Sequence, residues 1–155
     1  MNAVKLLALA SLLLAPVLGA CTHPARLETP SGFATLEPSS AFSYRAANAR
    51  GVVVSARSEP NALAGNLDFW ADSIDQHLTR AGYAQKLVKD VEGRGGLRGR
   101  QLRYSADRGG REHRYWVTVF LVKDRVVLVE AGGDAEPFSK AEASVERAIS
   151  TVVVN

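Results

Sequence analysis

The chain has 155 residues, of which 46% are hydrophobic and 23% charged, a composition that suits one folded domain with a real core. Its single cysteine excludes an intramolecular disulfide and a zinc site built from several thiolates. The net charge of +3 is small, but it hides a divided distribution.

The chain opens MNAVKLLALASLLLAPVLGAC. Lys5 is a short positive region, Leu6 to Leu14 form an apolar run interrupted by Ser11, and Pro16 precedes the small residues Gly19 and Ala20. This is the layout of a secretory signal, since the apolar run falls short of the roughly 20 residues a spanning helix needs. Leu18-Gly19-Ala20-Cys21 resembles the bacterial lipobox. That resemblance implies cleavage after Ala20, a diacylglyceryl thioether on Cys21 and a further acyl chain, commonly palmitate, on the new amine. Each buried methylene contributes about 0.8 kcal/mol, so two or three chains hold a protein on a membrane essentially permanently. By the sorting rule of enteric lipoproteins, Thr22 in place of aspartate implies the periplasmic face of the outer membrane. With Cys21 lipidated no thiol remains for catalysis, and export removes cytoplasmic nucleic acid as a partner.

The expected organisation is therefore a signal peptide over 1–20, a tether over 21–31 and one domain over 32–155. Thr22 to Ser31, THPARLETPS, holds two prolines and little apolar content, and reads as a spacer lifting the domain off the membrane. Gly32 to Leu36 and Ser43 to Ala46 are short strand candidates around a turn-rich EPSS segment. Gly51 to Arg57 is a stronger strand. Asn66 is placed to cap a helix whose apolar residues are Leu67, Trp70, Ile74, Leu78 and Ala81, spaced by three and four. Asp68, Asp72 and Asp75 lie early on another face of it, where the helix dipole favours negative charge, and Gly82 ends it.

Strands follow at 83–91, 97–105, 113–122 and 126–131. Gly93 to Gly96 reads as the turn between the first two, and Lys123-Asp124 as a tight hairpin between the last two. Asp134 is placed to cap a final helix with Pro137 in its first turn and Phe138, Ala141, Val145, Ile149 and Val152 as its apolar stripe. The runs Trp116 to Val122 and Val126 to Val129 are almost continuously apolar, which suits strands covered on both faces. Hairpin-length connections make the sheet antiparallel. The expected fold is thus α+β, a central antiparallel sheet with one helix on each face.

This order and several local strings resemble the superfamily of PsbP-like and DcrB-type proteins. The strings are Gly32-Phe33, Leu67-Asp68-Phe69-Trp70, Gly82-Tyr83, Arg114-Tyr115-Trp116 through Phe120, Val126 to Gly133, and Phe138. The resemblance covers most of 32–153 and implies an α/β/α sandwich and a non-enzymatic role. Its strings are packing signatures, so no binding residue carries over, and fold does not fix function.

Candidate chemistry is sparse. The chain has no G-x-S-x-G elbow, and the only histidines of the domain, His77 and His113, are widely separated. His77 has Ser73 at the helical i,i+4 spacing, not a second metal ligand. Asp68, Asp72 and Asp75 suit a solvated acidic face better than a cation site. No catalytic residue, metal or cofactor is expected. The charge division is the unusual feature: nine basic residues lie between Gly93 and Arg125 against Asp107, Glu112 and Asp124. A one-sided field of that kind steers anionic partners. Arg98, Arg100, Arg103, Arg111 and Arg114 are the candidate anion-binding residues, although arginine on a strand also covers apolar surface with its stem. Two functions stay open: a lipid-anchored, non-catalytic interaction or adaptor module that docks an envelope protein, or a protein that binds a small ligand, an anionic lipid or a glycan through 93–125 or a helix–sheet groove.

Overall fold

The structure, a computed structural model, describes residues 25–37 and 39–154. The lipobox and Cys21 lie outside the described residues. Among the described residues nine strands and two helices follow in chain order: β1 (Ala25–Arg26), β2 (Phe33–Thr35), β3 (Tyr44–Asn48), β4 (Val53–Pro60), α1 (Leu67–Arg80), β5 (Ala84–Gly93), β6 (Leu97–Asp107), β7 (Glu112–Val122), β8 (Arg125–Asp134), α2 (Ala135–Ser150) and β9 (Val153–Val154). Seven strands form one sheet in the order β2-β3-β4-β8-β7-β6-β5, every neighbouring pair antiparallel. β1 and β9 make a separate two-stranded pair.

The uninterrupted apolar strands have the expected cause. Successive side chains of a strand point to opposite faces, and here both faces are covered. Val127, Val129, Trp116 and Phe120 pack into the core under α2 with Phe138, Ala141, Val145 and Ile149. Val126, Leu128, Val117 and Val119 pack into a smaller core under α1 with Ala71 and Leu78. The sheet thus separates two cores, one per helix. Gly99 sits opposite Phe120 in the β6–β7 register, and a Cβ there would come within 2.5 Å of that ring. The glycine is a packing requirement, and the residues Arg94 to Gly96 before it form the expected turn.

Three details differ from the sequence-based reading. The expected tether is partly inside the domain: Ala25 is fully buried, Leu27 nearly so, and β1 pairs with β9. The folded part therefore includes residues from Ala25 onward, because the short apolar residues among the prolines find a place against β4. Asp134 occupies the N-cap position of α2 without making a side-chain cap bond. Its carboxylate instead accepts from Arg111 at 2.7 Å. Val152 lies beyond the end of α2 yet is completely buried, held by its N–H to the Ile149 carbonyl at 3.2 Å. Asn66 does cap α1, its Oδ1 accepting from the Phe69 N–H at 2.8 Å. Among the described residues no helix is long and apolar enough to cross a membrane.

Candidate functional site

The five arginines picked out by charge do not converge. Alternation along β6 puts Arg98 and Arg100 on the α1 face with Leu102, while Arg103 faces α2 with Gln101. Arg111 lies in the turn at the far end of β6, roughly 30 Å along the strand from Arg98 at about 3.3 Å per residue. Four of the five are held by carboxylates from other elements. Arg100 binds Asp68 of α1 and Asp90 of β5, the latter at 3.0 Å, and these hydrogen bonds raise its pKa further. Arg103 lies 3.6 Å over the Trp116 ring and binds both Glu142, at 3.0 Å, and Glu146 on α2, while its Nε donates to Gln101. Arg111 pairs with Asp134, and Arg114 with Glu142 at 3.4 Å. Arg98 alone of the five has no carboxylate partner among the described residues. The charge division in the sequence is thus largely a means of docking helices: basic strands meet acidic helix faces.

A different surface has the shape of a site. α1 packs chiefly over β5, β6 and β7 and sits less closely on β8 and β4. Between them runs a groove of about 400 Å³. Its floor is Val117, Val126 and Leu128, and its helix wall is Trp70, Ser73, Ile74, His77 and Leu78. The first turn of that wall is fixed from the loop before it. The Asn61 amide accepts from Trp70 Nε1 at 3.0 Å and exchanges hydrogen bonds with Gly65. Gly65 admits the Phe69 ring, which a Cβ would approach to 2.3 Å.

Arg57, Glu130 and Tyr115 form the polar centre of this surface. The Tyr115 hydroxyl donates to Glu130 Oε1 at 2.5 Å, and Arg57 Nε donates to Glu130 Oε2 at 3.3 Å. Burial, reinforced by the neighbouring Glu130 charge, pushes the Tyr115 pKa far above the ordinary tyrosine value. Tyr115 is accordingly a fixed hydrogen-bond donor, and both Glu130 oxygens are occupied. Beyond this trio a second hollow of about 380 Å³ continues along the same face, reaching Phe42, Ser55, Tyr83, His113 and Gly132. Tyr115 and Glu130 line both hollows, so the two form one trough with a polar divide.

Sequence reasoning foresaw a helix–sheet groove as one option but missed Arg57, Tyr115 and Glu130. A usable signal existed: Glu130 is the only charged residue between Arg125 and Asp134, in an otherwise apolar strand, and Arg57 ends a similar one. His77 lines the groove and His113 the second hollow. Asp75 accepts from the Tyr104 hydroxyl and from Gln85. Among the described residues no group of three His, Cys, Asp or Glu side chains is placed to hold a metal.

No protein-family model matches the chain, and no curated protein matches it by sequence. Solved structures do match. LpqN of Mycobacterium tuberculosis, involved in cell envelope biogenesis, aligns with a TM-score of 0.66 at 12% identity, over 84% of this chain and 83% of that one. PsbP of the cyanobacterium Synechocystis aligns with a TM-score of 0.56 at 10% identity, over 92% of this chain and 99% of that one. A protein of unknown function from Pseudomonas aeruginosa aligns with a TM-score of 0.51 at 15% identity, over 85% and 83%. At these identities the likeness is one of fold: the chain has the PsbP-like arrangement of an antiparallel sheet between two helices.

Proposed function

We propose that this is a lipid-anchored protein of the cell envelope whose domain serves as a non-catalytic interaction module, with the trough beside α1 as its binding face. The open apolar groove of about 400 Å³ carries this reading. Its walls are set by packing, and its central charges satisfy one another, as in a recognition surface with a few placed polar groups. Glu130, the carboxylate at the centre of the trough, already accepts from Tyr115 and Arg57. The trough supports the reading better than the basic strand region does, because most of those arginines already meet carboxylates. The leader and Leu18-Gly19-Ala20-Cys21 support export and lipidation, and Thr22 favours the outer membrane. The fold likeness to LpqN, a protein of envelope biogenesis, is consistent with the same compartment.

Two measurements test it. A photo-crosslinking residue in place of Ser73, in intact cells, should capture one discrete envelope partner, whereas the same residue in place of Arg147 on α2 should not; equal or absent capture at both positions would overturn the assignment of the face. Cys21→Ser should abolish fatty-acid labelling and leave the precursor uncleaved, and persistent labelling would overturn the anchor.

A further inference from the structure

The first described residue is locked into the domain. Ala25 is fully buried, pairs with Val154, and its carbonyl accepts from Ser43 Oγ at 3.0 Å. Only Thr22, His23 and Pro24 separate it from Cys21. Four residue steps of extended chain reach about 14 Å at most. On the reading of Cys21 as a lipid anchor, on which this inference rests, the domain cannot stand off the membrane. Whatever surface surrounds Ala25 is held at the level of the lipid headgroups.

That surface has the composition of an interfacial contact. Ser43 ends the connection from β2 to β3, which carries Leu36, 39% exposed, and Phe42. Arg45 lies 5.6 Å from the Phe42 ring centroid, and Arg26 is exposed one residue after Ala25. Neither arginine has a carboxylate within ion-pair distance among the described residues, in contrast to the paired arginines of β6 and β7. Glu37 is the one acidic residue in the same connection. Apolar side chains beside long cationic ones suit the boundary between headgroups and acyl chains, where anionic lipid attracts the cations.

We propose that the surface formed by Arg26, Leu36, Phe42 and Arg45 rests on an anionic phospholipid bilayer once Cys21 is acylated. Phe42 also lines the second hollow of the trough. One end of the binding face therefore opens beside the membrane, and a partner is met there rather than in open periplasm.

The test uses the full-length acylated protein, purified from membranes and reconstituted into vesicles of phosphatidylethanolamine and phosphatidylglycerol. With Cys21 in a thioether, an introduced cysteine is the only free thiol. Fluorophores are attached at Leu36→Cys and, as the comparison, at Leu63→Cys, which is 70% exposed in the loop before α1. Quenching by headgroup-labelled lipid should be several-fold stronger at position 36 than at 63. Equal or stronger quenching at 63, with the acyl chains confirmed on Cys21 by mass spectrometry, would overturn the proposed surface. Absence of acyl chains on the wild-type protein would instead overturn the anchor itself. Arg26→Glu with Arg45→Glu should weaken the quenching at 36, and no change would remove the arginines from the contact.

Discussion

The two faces of the sheet are built to different standards. Under α2, five helix residues are buried and Arg103 spends its fork on Gln101, Glu142 and Glu146 while lying flat on Trp116. Under α1, only Ala71 and Leu78 of the helix are buried, and a groove floored by Val117, Val126 and Leu128 opens beside it. A domain of this size needs one well-filled core and cannot leave every face unfilled. The difference teaches that α2 holds the fold together, whereas α1 forms one wall of an open groove.

The sharpest way to break this comparison is to delete a large side chain from each face. Phe138 is fully buried, with its ring 4.9 Å from that of Trp116. Phe138→Ala should cost about 4 kcal/mol, and Ile74→Ala, on a half-buried groove wall, roughly 1 kcal/mol. Urea unfolding followed by circular dichroism measures both. Equal losses would mean that α1 is as much a part of the core as α2, and the open-face reading would fail. Arg103→Met is the intermediate case. It removes two ion pairs but keeps an apolar stem on Trp116. Glu142 and Glu146 keep 34% and 41% of their side-chain surface in water, so the expected loss is about 2 kcal/mol, below that of breaking a fully buried pair.

The contrast between faces was only half legible in the sequence. Helix spacing in Leu67 to Ala81 and Phe138 to Val152, with apolar runs in β7 and β8, is enough to set a helix on each side of an antiparallel sheet. Those signals are local, and burial on two faces leaves a visible mark on strand composition. The ion pairs are another matter. Arg103 and its partners Glu142 and Glu146 are 39 and 43 residues apart, and Arg100 is 32 residues from Asp68. Counting charge along the chain therefore registered a basic segment where the folded protein has neutralised contacts. The groove was hidden for a related reason. Val126 and Leu128 look like any covered strand, and nothing local tells that they also form the floor of an open groove beside α1. Ala25 and Leu27 were missed because two apolar residues among prolines are too few to announce a strand.

A smaller effect separates the faces by pH. Hydrogen bonding to Lys89, opposed by partial burial and helped by Arg103, holds Glu146 below the ordinary carboxylate value of 4.5. A carboxylate whose folded pKa is depressed contributes stability above its unfolded pKa and loses it as pH falls through the folded one. The wild type should therefore lose stability on acidification below about pH 4.5, and Glu146→Gln should start less stable at neutral pH and show a shallower acid slope. Denaturant titrations at neutral pH and at pH 3 check this. An unchanged slope would mean that the α2 ion pairs contribute little in solution.

The smallest expected effect on stability is the most informative about function. Ser73 sits in the groove wall with its hydroxyl bonded to the Phe69 carbonyl at 2.7 Å, a contact the helix does not require. Ser73→Trp places a large ring over Val126 and Leu128 with no core to displace, so unfolding should shift by no more than about 0.5 kcal/mol. If the trough is the binding face, the same substitution should abolish capture of the partner by a crosslinker placed at His77. A stable variant that still captures it would show that the partner reads some other surface, and the open groove beside α1 would then need a different explanation. A variant that loses several kcal/mol would say that the groove closes on itself in solution, because only a filled space resists filling.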